Sequence, residues 1–175
     1  GLFEEPHRYG GNRYKSETYL PEHMEAARDI ARKSMVLLEN HNNILPLKGS
    51  ERIALIGPYA NNRKEMSGAW PGFVEHDHST TFLEGLQTRF GKENVIYAEG
   101  CKPFKATENG IAEAVVAAEK SDVVLLTMGL PNSCSGEATS LTSIEVPQVQ
   151  RDLLTALDAT GKPIVILLVT GRMWL

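Results

Sequence analysis

Short apolar runs alternate along the chain with segments whose apolar residues recur at helical spacing. Continuous apolar runs of this length are typical of parallel strands buried on both faces, and the connections between such strands are right-handed and usually helical. We therefore predict an α/β sandwich, in which a mostly parallel sheet carries helices on both faces. The predicted strands cover residues 52–58, 94–98, 123–128 and 164–169, and the predicted helices cover residues 21–40, 81–90, 109–120 and 147–159.

The order of these elements also predicts how the chain is divided. Residues 1–20 are rich in Gly, Tyr, Arg and Glu without a period, so we expect an extended linker from a preceding domain. Residues 21–175 are expected to form the α/β domain. Four strands are few for such a sheet, and we therefore expect this domain to be truncated on its C-terminal side.

Composition excludes some classes of partner. The formal net charge of −4 over 175 residues gives no electrostatic basis for binding nucleic acid or an anionic membrane. No apolar stretch approaches the roughly 20 residues that span a bilayer. The two cysteines, Cys101 and Cys134, each follow a predicted strand. Two cysteines make no disulfide framework, so we expect both to be free thiols.

The loop after the third predicted strand carries a single carboxylate among small residues. It reads C-S-G-E-A-T-S at residues 134–140, and its carboxylate is Glu137. In open α/β sheets, ligands bind beyond the carboxyl ends of the strands, where this loop should lie. Glu137 is either a solvated or helix-capping residue, or a general acid whose pKa is raised by partial burial. Glycoside hydrolysis normally needs two carboxylates, and the sequence offers no convincing second one.

A second loop, between the first strand and the next helix, carries Trp70 among small residues. The segment reads S-G-A-W-P-G at residues 67–72, and it includes Gly68. Trp70 is predicted either to anchor the loop in the core or to form a platform for the apolar face of a sugar ring. The sequence favours neither alternative.

Other constellations give little support for a cofactor, a metal or a serine nucleophile. The turn at Gly57 continues with a proline and has no further glycine at the spacing that a dinucleotide pyrophosphate needs. The cluster H-D-H at residues 76–78 lacks a well-spaced third ligand, so a solvated loop is the favoured interpretation over a metal site. Ser67 and Ser135 have no His and Asp at recognisable triad positions. We therefore expect neither cofactor nor metal.

Several short patterns occur in an order that is specific as a set. Residues 27–40 and 45–47 match A-R-x-x-A-x-x-S-x-V-L-L-x-N followed by L-P-L. Together with the other segments, these patterns resemble glycoside hydrolase family 3, the family of β-glucosidases and β-xylosidases, over essentially the whole chain. Residues 1–6, GLFEEP, look like the exit from a catalytic barrel. The further matching segments are residues 53–58, 68–70, 100–101, 135–138, 144–150, 161–163 and 171–172.

This resemblance implies a two-domain retaining glycosidase. A (β/α)₈ barrel would precede the α/β sandwich and supply the aspartate nucleophile, which this chain lacks. Glu137 would be the acid/base, and Gly68 and Trp70 would face a β-linked oligosaccharide or glycoside. The activity implied is that of a β-glucosidase, with a β-xylosidase as the alternative within the family, and periplasmic or secreted localisation is favoured. The rival interpretation is a non-catalytic carbohydrate-binding or scaffold module.

The sequence departs from the family pattern at two positions. An arginine usually follows the second serine of the Glu137 loop, whereas this chain has Leu141. Many members carry a carboxylate after the glycine that corresponds to Gly129, whereas this chain has Leu130. If the arginine holds the loop by ion pairing, Leu141 leaves Glu137 less firmly positioned.

Overall fold

The structure is a computed structural model that describes residues 1–8, 10–72 and 74–173, with only the backbone at residues 14 and 15. The last two residues of the predicted α/β domain, Trp174 and Leu175, lie outside the described residues. The chain divides into two compact units, residues 1–45 and residues 46–175. The domain boundary predicted after residue 20 stays a prediction.

The first unit contains two helices, α1 (Arg13–Glu17) and α2 (Pro21–Ser34). The prediction of an extended linker is therefore wrong at α1, where Arg13 and Glu17 pair across one helical turn at 2.8 Å. The predicted end of α2 near residue 40 is also wrong. Met35 is already extended, and the Ser34 hydroxyl donates to the carbonyl of Ala31, a bond that competes with helix continuation.

The second unit is built on a four-stranded parallel sheet. Its strands are β1 (Ile53–Ile56), β2 (Val95–Ala98), β3 (Val123–Gly129) and β4 (Ile164–Val169), in the spatial order β2-β1-β3-β4. The prediction of a parallel sheet is confirmed. The two central strands, β1 and β3, are buried along their whole length, which explains their continuous apolar sequences.

Three helices connect the strands: α3 (Phe82–Phe90), α4 (Gly110–Glu119) and α5 (Gln148–Asp158). The crossover from β1 to β2 runs in the opposite direction along the sheet from the other two crossovers. Because right-handed connections are the rule, α3 covers one face, whereas α4 and α5 cover the other. The core on the α4–α5 face joins alternate residues of the strands to small and branched side chains of the two helices. It includes Ala54, Ile56, Ala98, Ala114, Ala118, Val124, Leu126, Met128, Leu153 and Leu157.

Local sequence chemistry sets the helix ends and the turn after β1. Thr81 and Glu84 form a reciprocal capping box at the start of α3. Gly57 follows β1 with a φ of 115°, and a Cβ at this position would lie 2.1 Å from the carbonyl oxygen of Thr127. Only glycine fits so close to β3 with this backbone conformation. Among the described residues, no helix combines the length and apolar character needed to cross a bilayer.

Candidate functional site

The loops that follow β1 and β3 meet at the carboxyl edge of the sheet. The Glu65 carboxylate, in the loop after β1, accepts a hydrogen bond from the backbone N–H of Asn132 at 2.6 Å. The Asn132 side-chain amide donates in return to the carbonyl of Lys64 at 3.3 Å. These two bonds join segments 67 and 68 residues apart in sequence. They bring the loops of Trp70 and Glu137 together, as the parallel arrangement of the strands requires.

Trp70 lies beside the Glu137 loop with most of its side chain in solvent. Its exposed fraction is 73%, which excludes the alternative of a core anchor. A Cβ placed on Gly136 would lie 3.8 Å from the indole Nε1, so the ring and the backbone preceding Glu137 are close neighbours. Gly68, two residues before Trp70, is exposed and has a φ of 75°. The structure thus leaves the indole ring accessible next to the candidate acid.

Glu137 is also exposed, in a turn whose backbone is locally held. The backbone N–H and the hydroxyl of Thr139 both donate to the carbonyl of Gly136, at 3.3 and 2.9 Å. On the N-terminal side, the Arg172 guanidinium donates to the carbonyl of Cys134 at 3.2 Å. Among the described residues, none forms a hydrogen bond or ion pair with the Glu137 carboxylate. The neighbouring residues of this unit therefore leave the carboxylate in solvent.

Tyr59 lies buried beneath these loops and was not among the residues predicted from sequence. Its backbone N–H donates to the Thr127 hydroxyl at 3.2 Å, and that hydroxyl donates to the carbonyl of Ile56 at the same distance. Its phenol has no hydrogen-bond partner within the described part of the chain. Burial, with a smaller contribution from Glu65, raises the pKa of Tyr59 far above its ordinary value. The phenol is fully buried and is neutral at physiological pH.

Gln150, on the first turn of α5, fixes the point at which the Glu137 loop leaves the sheet. Its side-chain oxygen accepts from the backbone N–H of Gly129 at 3.0 Å, and its amide nitrogen donates to the carbonyl of Gly129 at 2.9 Å. The same nitrogen donates to the carbonyl of Pro103, after β2, at 2.8 Å. Gln150 is fully buried, so a single amide joins the end of β3 to the loop after β2. From sequence, Gln150 was recognised only as the last residue of the segment 144–150 that matches the family pattern, with no role predicted for its side chain.

The remaining sequence candidates lie apart from this chemistry. The Ser67 hydroxyl donates to the carbonyl of Lys64. Residues 76–78 form a short 3₁₀ turn, in which His78 contacts the carboxylate of Glu75 at 3.0 Å. Within the described ranges, no group of three or more His, Cys, Asp or Glu side chains is arranged to hold a metal ion. Cys101 and Cys134 are both free thiols, the first buried and the second half-buried.

Comparison with protein families decides what kind of domain carries this site. The glycosyl hydrolase family 3 C-terminal domain matches residues 35–175. The chain belongs to this family. The resemblance predicted from the ordered sequence patterns is thereby confirmed, as is the α/β fold class that it implied.

Individual relatives of this family 3 chain are glycosidases by name. The chain is 36% identical to the periplasmic β-glucosidase of Salmonella typhimurium over 98% of its own length and 26% of that protein. It is 33% identical to a β-xylosidase of Formosa agariphila, over 89% of this chain and 22% of that protein. A β-glucosidase from Listeria innocua, solved in complex with glucose, superposes with a TM-score of 0.86 and 34% identity, over 95% of this chain and 22% of that one. The family 3 chain thus spans about a quarter of the length of these relatives.

Proposed function

We propose that this chain is part of a retaining β-glycosidase that hydrolyses terminal β-linked sugars, with β-glucosidase activity favoured. Within a family 3 domain, the observation that carries the proposal is the exposed Glu137 carboxylate beside the exposed ring of Trp70 at the carboxyl edge of the sheet. The names of the Salmonella and Listeria relatives support the same activity. The Formosa relative supports β-xylosidase activity as the alternative within the family.

In this proposal, Glu137 is one half of a split active site. It protonates the leaving oxygen in the first step and deprotonates water in the second. The nucleophilic carboxylate belongs to a barrel domain outside the described chain, and the two carboxyl groups of a retaining enzyme lie about 5–5.5 Å apart. The approach of that domain would enclose the Glu137 carboxylate together with the bond to be cleaved.

The exposed position of Trp70 fits a role in holding the sugar. An accessible indole face packs against the apolar face of a pyranose ring, and its N–H remains available for a hydrogen bond. Gly68 lets the backbone of the same loop approach a substrate closely, because it has no side chain and adopts a positive φ. The split site also predicts that the 175-residue chain on its own has no glycosidase activity.

The acid/base assignment is tested by Glu137→Gln in the complete polypeptide that contains this chain. We expect kcat/KM for glycosides with poor leaving groups to fall about 10²- to 10⁴-fold, whereas the glycosylation step with activated aryl glycosides falls much less. Azide should partly restore the second step. The matched control is Glu119→Gln, which alters an exposed carboxylate at the end of α4 and should leave both substrates unaffected.

Equal hydrolysis of both classes of glycoside by the variant and the parent would contradict the proposal. If Glu137→Gln hydrolyses both classes of glycoside as the parent does, Glu137 is not the acid/base. If the complete parent polypeptide also hydrolyses no glycoside but still binds β-linked oligosaccharides, the domain is a carbohydrate-binding module. The exposure of Trp70 is the observation that favours this second function.

We also propose that the complete protein is exported. The support is the name of the Salmonella relative, which places that protein in the periplasm. Fractionation of the native host, with activity and antibody detection in each fraction, tests this. Recovery of the protein only with cytoplasmic markers would contradict it.

A further inference from the structure

Within the described part of the chain, the loops of Trp70 and Glu137 come close to each other at two points. The first is the hydrogen bond that the backbone N–H of Asn132 donates to the Glu65 carboxylate at 2.6 Å. The second is the approach of the indole to Gly136, where a Cβ would lie 3.8 Å from Nε1. Glu65 precedes Trp70 by five residues, and Asn132 precedes Glu137 by five. The two points therefore close a short ring of backbone that carries both candidate site residues.

The Glu65 bond is the stronger of these two links. A hydrogen bond to an ionised carboxylate is shorter and roughly twice as strong as one between neutral groups, and the distance of 2.6 Å fits that class. Glu65 is half-buried, and its own backbone N–H donates to the side-chain oxygen of Asn62 at 3.4 Å. The indole and Gly136 meet by packing alone, which contributes little for each pair of atoms. The relative position of the two loops thus depends mainly on Glu65.

Other side chains hold the Glu137 loop to different parts of the domain. Gln150 ties the start of this loop to α5, and Arg172, which follows β4, donates to the carbonyl of Cys134. Neither of these bonds joins it to the loop after β1. Glu65 does, so its carboxylate can relate the position of the acid to that of the indole.

We propose that Glu65 is a positioning residue, which sets the distance between the sugar held by Trp70 and the acid/base Glu137. This inference rests on the proposed roles of Trp70 and Glu137. An acid that protonates the leaving oxygen must lie within hydrogen-bond reach of it, and a displacement of about 1 Å can reduce the rate about 10²-fold. Loss of the Glu65 bond would therefore slow proton transfer to the leaving oxygen and leave sugar binding largely unchanged.

Two variants of the complete polypeptide break this bond from opposite sides. Glu65→Ala removes the acceptor, whereas Glu65→Gln keeps an oxygen that can accept but loses the charge. Asn132→Pro removes the donor, and proline fits here because Asn132 begins a 3₁₀ turn and Pro131 before it is extended, with a ψ of 156°. The matched control is Asn132→Ala, which keeps the N–H and removes only the side-chain bond to the carbonyl of Lys64 at 3.3 Å.

The assay compares methyl β-D-glucoside, whose leaving group is poor, with p-nitrophenyl β-D-glucoside, whose leaving group is activated (the β-D-xylosides for a xylosidase). Glu65→Ala and Asn132→Pro should each reduce kcat/KM for the methyl glycoside about 10- to 100-fold, through kcat, with KM within about threefold of the parent. The nitrophenyl glycoside should lose less than about threefold in kcat/KM. Glu65→Gln should lose less than Glu65→Ala, and Asn132→Ala should resemble the parent.

A double variant shows whether Glu65 acts through the acid. In the Glu137→Gln background, Glu65→Ala should have little further effect on the methyl glycoside, because a positioning residue acts only through the group that it positions. A role in stability alone would instead add its own loss. Equal losses on both glycosides, or a full loss that persists in the Glu137→Gln background, would overturn the inference even where Glu137 is the acid/base.

Hydrogen exchange of the same polypeptides reports on the bond itself. Peptides over residues 130–140 should exchange about tenfold faster in Glu65→Ala and Asn132→Pro, while peptides over β1 and β3 keep the protection of the parent. Unchanged exchange at residues 130–140 in both variants would overturn the inference. If Glu65→Ala fails to fold, Asn132→Pro and Glu65→Gln decide the outcome. A Glu137→Gln enzyme that is as active as the parent on both glycosides refutes the proposed function, and the inference falls with it.

Discussion

Gln150 offers the sharpest test of how the sheet edge is held, through the substitution Gln150→Leu in the 175-residue chain. Leucine has a similar volume and preserves helix propensity, but it removes all three hydrogen bonds of the buried amide. The backbone N–H and carbonyl of Gly129 then lose a buried partner, whereas the carbonyl of Pro103 is only partly buried and can reach water. The main loss therefore falls on the two backbone groups of Gly129.

The magnitude follows from these two groups. A buried backbone group left without a partner costs about 1–3 kcal/mol, and the carbonyl has a second lone pair that lowers its share. The apolar leucine offsets part of the loss. We expect the free energy of unfolding to fall by about 2–4 kcal/mol, a large fraction of the roughly 5–15 kcal/mol that stabilises a typical domain. Urea unfolding followed by circular dichroism measures this, provided the slope of the transition stays constant.

The matched control is Gln148→Leu, two residues earlier on α5. Gln148 is exposed, and its hydrogen bonds to Asp152 and Arg151 lie at the surface. Its substitution should change the free energy of unfolding by no more than about 0.5 kcal/mol. If Gln150→Leu were as stable as this control, the buried amide would not hold the strand ends, and the reasoning would be refuted.

A second variant, Gln150→Glu, tests the same geometry through pH. An ionised carboxylate can accept from Gly129 N–H, but it faces the carbonyls of Gly129 and Pro103. Burial and these carbonyls would raise the pKa of the new carboxyl in the folded state, because only the protonated form can donate to them. The variant should therefore gain stability relative to the parent as the pH falls from 7 toward about 4.3, the ordinary glutamate value. A difference from the parent that does not change with pH would contradict this account.

Three further predictions test other parts of the fold. Gly57→Ala should abolish cooperative folding or cost more than about 4 kcal/mol, measured by urea unfolding, because the new Cβ would lie 2.1 Å from the Thr127 carbonyl oxygen at a positive φ. The Thr81 backbone N–H lowers the pKa of Glu84 below its ordinary value. The parent should thus lose stability as the pH falls below the ordinary glutamate value of about 4.3, and Glu84→Gln should show a smaller loss in acid unfolding curves. Burial raises the pKa of the Cys101 thiol to about 11, so an aromatic disulfide reagent at about pH 8 should label Cys101 only after unfolding.

The sheet was predictable because its signals are local. β4 occupies the predicted residues, since an unbroken apolar run follows a G-K-P stop. The capping residues Thr81 and Glu84 likewise mark the start of α3 within one residue of the prediction. Such continuous apolar runs mark strands of a parallel sheet. They do not report burial directly, because β1 and β3 are buried along their whole length whereas Ile166 and Leu168 of β4 are exposed.

The interior of the site was not predictable, because it is made by contacts between distant segments. Tyr59 binds Thr127 across 68 residues, and Gln150 reaches Pro103 across 47. The exposure of Trp70 likewise depends on where the loop after β1 meets Gly136. The prediction that α2 extends to residue 40 was wrong because of a local ambiguity. The apolar run M-V-L-L at residues 35–38 fits either a helix or an extended segment.

Three side chains hold the loop that carries Glu137, and their positions explain why this candidate acid is exposed. Gln150 fixes Gly129, Glu65 fixes Asn132, and Arg172 holds the carbonyl of Cys134, so the loop is held up to the residues just before Glu137. All three anchors act on backbone groups, and none contacts the Glu137 carboxylate. The backbone that leads to Glu137 is therefore fixed in position, whereas no described side chain contacts its carboxylate. This arrangement fits the split active site proposed above, in which a second domain would surround the carboxylate.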